Sequence, residues 1–158
     1  MHKIRVYVDT SVFGGTQDEE FSEASQRFFE RVHKGEFVVL LSTVTLRELE
    51  KSPDAIKAVW QSLPPQLTEI LPLGADVQEL AEAYIRANVL AADSQNDALH
   101  VAAATVAGAD LILSWNFKHI VNFSRIRGFN SVNINLGYRT LTILSPLEVS
   151  YGEQEEKI

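Results

Sequence analysis

The chain has 158 residues, of which 46% are hydrophobic and 22% are charged, a composition typical of one soluble globular domain. It contains no cysteine, which excludes disulfides and thiolate metal sites. Because it has no apolar run of about 18 residues and no apolar signal-peptide region at its start, we expect a cytoplasmic protein with no membrane span. The net charge of −7 argues against binding of long nucleic acid over the whole surface.

Apolar runs and helical repeats alternate along the chain. Alternation of β-branched and polar residues predicts a first strand, and the continuous apolar run at 37–41 predicts a strand buried on both faces. The predicted strands are 4–8, 37–41, 68–73, 111–114 and 141–144. The predicted helices are 21–32, 43–51, 53–63, 76–85, 97–107, 117–121 and 124–136, with residues 14–20 forming a loop.

Strands that alternate with helices predict a mostly parallel sheet covered on both faces, which is a three-layer α/β/α sandwich. No repeat or linker divides the chain, so we assign one domain to residues 1–147. Residues 148–158 form an acidic C-terminal tail, which contains Glu153, Glu155 and Glu156.

Polar side chains that could carry chemistry fall at the ends of predicted strands or near the starts of predicted helices. They are Asp9, Glu48, Asp97 and Asn116. Each has an ordinary explanation. Asp9 could bond its own backbone in a turn, and Glu48 could close a capping box with Thr45. Asp97 and Asn116 could stabilise the starts of helices.

The predicted parallel sheet favours a common function for these four residues, because it brings the carboxyl ends of its strands and the starts of the following helices to one edge. Three carboxylates within about 4 Å would repel, each pair by roughly 4 kcal/mol at an effective dielectric of about 20. Such a cluster holds a proton or binds a hard cation. Oxygen ligands without cysteine or clustered histidine favour Mg²⁺ or Mn²⁺ over zinc.

Four segments together resemble the successive blocks of a PIN domain. They are Val8-Asp9-Thr10-Ser11, Thr45-Leu46-Arg47-Glu48-Leu49, the segment from Asn96 to Ala104 and the segment from Ala109 to Phe117. The resemblance runs from about Ile4 to Leu147, and its last two blocks are the most specific. It implies a Mg²⁺- or Mn²⁺-dependent nuclease fold, common among VapC-like ribonuclease toxins, with Asp9, Glu48 and Asp97 as the family's three acids.

The sequence departs from the family pattern after the fourth strand. The family often has an aspartate two residues after the serine or threonine of that strand, and this chain has Asn116. An asparagine can orient a water but adds no charge, which favours one strongly held ion over two. We therefore predict that Asp9, Glu48 and Asp97 hold the ion, that Asn116 assists, and that Glu48 or Asp97 orients the attacking water.

Other polar residues near these segments are candidates for supporting roles. The hydroxyl groups predicted to support the carboxylates or touch phosphate, unless they simply cap turns, are those of Thr10, Ser11 and Ser114. The residues predicted to contact the nucleic-acid backbone, unless they form a solvated face, are Lys118, His119, Arg125 and Arg127. His100 is expected to pack or to support the site, and Trp115 to stack a base or to pack.

The resemblance implies an endoribonuclease acting on single-stranded or structured RNA, as the toxin of a toxin–antitoxin pair. Its implied partners are RNA, an antitoxin protein and a second copy of the chain. The alternative is a non-catalytic PIN-like module that binds RNA or protein. A haloacid-dehalogenase-type phosphatase also has a strand ending in aspartate, but it needs a second aspartate where this chain has Ser11.

Overall fold

A computed structural model describes residues 2–150 and contains one five-stranded sheet. The strands are β1 (Ile4–Val8), β2 (Phe37–Ser42), β3 (Thr68–Leu71), β4 (Leu111–Leu113) and β5 (Thr142–Leu144). Their order is β3-β2-β1-β4-β5, and every neighbouring pair is parallel. The predicted parallel sheet is confirmed, and β1 lies at its centre.

Helices cover both faces of the sheet. They are α1 (Thr10–Gly15), α2 (Ser22–His33), α3 (Thr43–Glu50), α4 (Asp54–Gln61), α5 (Ala75–Arg86), α6 (Gln95–Val106), α7 (Phe123–Asn135) and α8 (Pro146–Ser150), with a 3₁₀ turn at Pro65–Leu67. The core on one face draws on α5, α6 and α7, and the core on the other on α1 and α2. This confirms the predicted three layers.

Alternation along β1 decides which side chain joins which core. Val6 and Val8 pack into the core with α1 and α2, whereas Tyr7 points into the core with α5 and α6. All three are fully buried. The central strand therefore carries a polar tip, the Tyr7 hydroxyl, into the interior just before its carboxyl end, where that hydroxyl must find a partner.

Three local predictions differ from the structure. The sequence predicts a loop at residues 14–20, but α1 extends through the first two of these residues, Gly14 and Gly15. Burial of Val12 and Phe13 outweighs the low helix propensity of these two glycines. Residues 117–121 form turns rather than a helix. The third strand ends at Leu71, directly before a proline that cannot donate to the sheet.

The last described helix crosses the predicted domain boundary. α8 begins at Pro146 and packs against α2, so residues 148–150 continue the folded part of the chain rather than the tail. The remainder of the predicted acidic tail, residues 151–158, lies outside the described residues. Between residues 2 and 150, no helix has the length and apolarity needed to cross a bilayer.

Candidate active site

Asp9 is fixed at the middle of the carboxyl edge of the sheet, directly after β1, and is 5% exposed. Its Oδ2 accepts hydrogen bonds from Ser11 Oγ and Ser114 Oγ, both at 2.7 Å. The same hydroxyl oxygens accept the backbone N–H groups of Trp115 and Asn116, both at 2.9 Å. The carboxylate of Asp9 therefore joins the ends of β1 and β4, and it makes no capping bond to α1.

Glu48 lies one turn into α3 and turns its carboxylate towards the sheet. Its Oε1 accepts a hydrogen bond from Thr10 Oγ1 at 2.8 Å and lies 2.6 Å from His100 Nε2. The start of α3 is closed by other residues, since the backbone N–H of Ser42 donates to Thr45 Oγ1 at 3.3 Å. The capping box is thus Ser42 with Thr45, and the carboxylate of Glu48 is not used for it.

The ionisation of Glu48 follows from these contacts. Burial raises the pKa of its carboxyl group, but the hydrogen bonds from His100 and Thr10 and the positive charges of His100 and Arg47 outweigh burial, so the net pKa is lowered. Both hydrogen bonds fall on Oε1, and the side chain is 35% exposed. Glu48 therefore remains an anion with solvent access beside the buried Asp9.

Asp97 lies in the first turn of α6, and side chains from the segment after β4 hydrogen-bond to its carboxylate. Asn116 Nδ2 donates to its Oδ1 at 3.2 Å, and His119 Nδ1 lies 2.9 Å from its Oδ2. Burial raises the pKa of Asp97, as does the negative charge of Asp9, while His119 opposes this shift. The influence of Asp9 shows that the two carboxylates share one electrostatic environment.

His100 joins the two halves of the site. It is 1% exposed, and its Nε2 lies between Glu48 Oε1, at 2.6 Å, and Asp9 Oδ1, at 3.5 Å. Its Nδ1 lies 2.8 Å from the hydroxyl of Tyr7, which donates to Ser42 Oγ at 2.7 Å. Burial alone would lower the pKa of His100, but Tyr7, Asp9 and Glu48 raise it well above its usual value.

The structure does not show the compact three-carboxylate cluster that the sequence predicts. Asp9 and Glu48 flank His100, whereas Asp97 is engaged by Asn116 and His119. Within residues 2–150, no three histidine, aspartate or glutamate side chains lie together as a preformed metal site. In chemistry the donor set still suits a hard cation, because all three acids present oxygen.

The hydroxyl residues singled out by the sequence each contact a carboxylate. Thr10 donates to Glu48, and Ser11 and Ser114 donate to Asp9. Asn116 makes two contacts, since its Nδ2 donates to Asp97 and its Oδ1 accepts the backbone N–H of His119. These side chains fix the orientation of the carboxylates, so the acids are ordered rather than free to rotate.

The predicted nucleic-acid contacts have different surroundings. The Arg125 guanidinium donates to the carbonyl oxygen of Val89, so it is used inside the fold. Lys118 is exposed, as is Arg127, whose guanidinium carbon lies 5.7 Å from the ring centroid of Phe123. Lys118 and Arg127 therefore keep their charges towards solvent.

Trp115 packs rather than facing the site. Its indole is 6% exposed, stacks on Phe21 with ring centroids 4.2 Å apart, and donates from Nε1 to Ser25 Oγ at 2.8 Å. Of the two interpretations open from the sequence, packing is the one that these contacts support.

Sequence reasoning missed parts of the network. The sequence pattern identifies Tyr7 only as a strand residue, although a tyrosine in a buried strand needs a partner for its hydroxyl. The position of His100 one turn after Asp97 placed it on the same helix face. His119, a predicted phosphate contact, instead contacts Asp97.

The fold and the site together define an α/β domain with an acidic centre at the carboxyl edge of a parallel sheet. Residues 6–119, well over half of the chain, match the PIN domain family. The chain therefore belongs to the PIN domain family. No curated protein matches the sequence significantly.

Among the solved structures that share this fold are VapBC2 and FitAcB. VapBC2 from Rickettsia felis, solved bound to a DNA fragment from its promoter, is similar with a TM-score of 0.58 and 16% identity, covering 90% of this chain and 98% of that chain. FitAcB from Neisseria gonorrhoeae is similar with a TM-score of 0.56 and 14% identity, over 90% of this chain and 98% of that chain. At these identities the likeness establishes the fold.

Proposed function

We propose that this protein is a metal-dependent endoribonuclease that hydrolyses phosphodiester bonds of single-stranded or structured RNA. The observation that carries the proposal is one hydrogen-bonded site built from four distant segments, with Asp9, Glu48, Asp97 and Asn116 at one edge of the sheet. Half-buried acids with shifted pKa values, as Glu48 and Asp97 have, are typical of catalytic sites. Membership of the PIN domain family supports the same class of activity.

Asp9, Glu48 and Asp97 would hold Mg²⁺ or Mn²⁺, with Asn116 assisting. When bound, such an ion lowers the pKa of a coordinated water and offsets charge that develops on the phosphate. The two serines that donate to Asp9 keep its Oδ1 on the side of the site. Asn116 and His119 orient the carboxylate of Asp97 through its Oδ1 and its Oδ2.

Glu48 is the better of the two candidates for taking a proton from the attacking water. Both oxygens of Asp97 are engaged, Oδ1 by Asn116 and Oδ2 by His119, whereas the contacts of Glu48 fall on one oxygen. Its Oε1 is occupied by Thr10 and His100, which leaves Oε2 as the oxygen that would accept the proton. Proton transfer by a positioned carboxylate contributes roughly 10²–10⁴-fold to such reactions.

The decisive experiment is RNA cleavage by the wild type, by Asp9→Asn and by the control Asp110→Asn, each with Mg²⁺, Mn²⁺ or EDTA. We expect Asp9→Asn to lose more than about 100-fold in rate, because changes even to residues that only support metal ligands cost 10–100-fold. Asp110 pairs with His2 and the backbone of Arg5, away from the site, so its amide should leave the rate unchanged. Full activity of Asp9→Asn, or cleavage in EDTA, would refute the proposal.

A second candidate function is a non-catalytic PIN-like module that binds RNA or protein. The observation that favours it is the separation of Asp97 from the pair formed by Asp9 and Glu48 around His100. Mn²⁺ distinguishes the two functions. A rise in melting temperature on adding Mn²⁺, together with RNA cleavage, supports the enzyme, whereas RNA binding without turnover supports the module.

The VapC-like resemblance of the sequence supports a toxin with an antitoxin partner, and a homodimer. Co-expression with the product of a small neighbouring open reading frame tests the first point, with relief of growth arrest and a co-purified complex as the expected results. Size-exclusion chromatography with light scattering tests the second. Growth unaffected by the wild-type chain alone would argue against a toxin.

A further inference from the structure

A polar pocket lies beside the acidic site, on the side of α3 and the start of α6. It is lined by Val44, Arg47, Glu48, Lys51 and Asn96 and has a volume of about 360 Å³. Pockets of about 300 Å³ and more accommodate small-molecule ligands or parts of larger ones. The pocket shares Glu48 with the site, and Asn96 directly precedes Asp97, so a group bound in the pocket is a neighbour of a group bound at the carboxylates.

Two cations line this pocket from one helix. Arg47 and Lys51 are four residues apart in or just after α3, a spacing that places side chains next to each other on a helix surface. Both are exposed. Arg47 bonds its own helix through Nε, at 3.4 Å from Thr43 O, so this bond does not use its two terminal nitrogens. Its charge also lowers the pKa of Glu48, which places it within electrostatic reach of the site.

Several other arginines are committed elsewhere in the fold. Arg5, Arg31 and Arg125 donate to backbone carbonyl groups of neighbouring segments. Arg47 and Lys51 instead line a pocket together with Glu48, one of the three acids, in a chain of net charge −7. A polyanionic substrate that approaches those acids is repelled unless positive charge meets it close by.

We propose that the Arg47–Lys51 pocket is a phosphate subsite, which binds the backbone phosphodiester adjacent to the one at the carboxylates. This inference rests on the proposed nuclease function and specifies where the RNA backbone binds next to that site. An arginine fork binds phosphate oxygens bidentately, and a lysine adds a point charge. The Asn96 amide can donate to the same group. Glu48 belongs to both the pocket and the acidic site, so the next phosphodiester of the bound RNA would lie at the acids.

The test is the double variant Arg47→Gln/Lys51→Gln in the full chain. Its control is Lys3→Gln/Lys34→Gln, which removes the same charge from exposed side chains near the amino end of the sheet. Binding of a fluorescent single-stranded RNA is measured in an Asp9→Asn background at several salt concentrations. We expect about tenfold weaker binding for the pocket variant and a salt slope reduced by about 0.7, the value for one phosphate contact on a single strand. The control should match the parent.

Kinetics in the otherwise wild-type chain separates this inference from the proposed function. The pocket variant should show KM raised about tenfold with kcat within about threefold of wild type, since a subsite away from the reacting atoms contributes binding. If the wild type cleaves RNA and the pocket variant has unchanged KM and affinity, the subsite is refuted and the nuclease stands. Equal losses in the control, a loss confined to kcat, or no RNA binding at all would also overturn it.

A glutamate-rich peptide serves as the competing probe. Binding of that peptide in place of RNA, lost in the pocket variant, would assign Arg47 and Lys51 to a protein partner and overturn the proposal. If the wild type binds RNA with the expected salt slope but cuts nothing, the nuclease fails while the subsite is retained as an RNA contact. The two failures are thereby distinguishable.

Discussion

Replacement of His100 by glutamine tests the reasoning about the site directly. The glutamine amide reaches the place of Nε2 and can still donate to Glu48, but it loses the contact of Nδ1 with the Tyr7 hydroxyl and the positive charge. Loss of one buried hydrogen bond costs about 1 kcal/mol. Loss of ring packing at a site that is 1% exposed adds about 1–2 kcal/mol. We expect a free energy of unfolding lower by about 2–3 kcal/mol before the charge is counted.

The charge makes this loss depend on pH. The pKa of His100 is raised in the folded protein well above its ordinary value of 6.5. A raised pKa means that the folded state holds the proton more tightly, so this stabilisation is fully present below about pH 6.5 and is lost as pH rises through the folded value. The gap between wild type and His100→Gln should therefore be widest at acidic pH and narrow towards alkaline pH.

Urea unfolding from pH 5.5 to 8.5, followed by circular dichroism without metal, measures this gap. The matched control is Tyr84→Phe, which removes a buried hydroxyl that donates to Asn133. Burial raises the pKa of Tyr84 above its ordinary value, so its hydroxyl stays neutral throughout and its gap should not vary with pH. A His100→Gln gap that is constant or widens with pH would show that His100 is not held as a cation between Asp9 and Glu48.

Two further predictions concern the surroundings of the acids. A Cβ at Gly15 would lie 2.7 Å from Trp115 Nε1, whereas at Gly14 it would meet nothing within 4 Å. Gly15→Ala should lose about 1–3 kcal/mol of stability in thermal denaturation and Gly14→Ala should lose none, and equal melting temperatures would contradict this packing. Asn116→Asp replaces a donor 3.2 Å from Asp97 Oδ1 by a like charge. Its melting temperature should fall in EDTA and rise more with Mn²⁺ than that of wild type, and a smaller Mn²⁺ shift would count against a cation at Asp97.

The layers of the fold could be predicted from the sequence because they depend on local periodicity. The alternation in β1 and the apolar run of β2 identified central strands, and their parallel pairing followed from the helices between them. The structure departs where tertiary burial decides. α1 forms although Gly14 and Gly15 disfavour a helix, because Val12 and Phe13 have a core to enter.

The location of the candidate acids could be predicted from the sequence, but the contacts between their side chains could not. Strand ends and helix starts located Asp9, Glu48 and Asp97 at one edge, since this follows from topology. Which side chain stands between them depends on rotamers and on packing across the sheet, and no sequence pattern gives that. The insertion of His100 between two acids needed the contact of its other nitrogen with Tyr7, a residue 93 positions away.

In α3, the residues that cap the helix, Ser42 and Thr45, are different from the residue that contributes to the candidate site, Glu48. Glu48 is not needed to begin the helix that carries it, so exchanging its carboxylate for an amide leaves that helix start intact. For a chain proposed to be a toxin, loss of toxicity and loss of the folded protein are then genetically separable events. A harmless chain with an unaltered outer surface would still compete for any protein that recognises that surface.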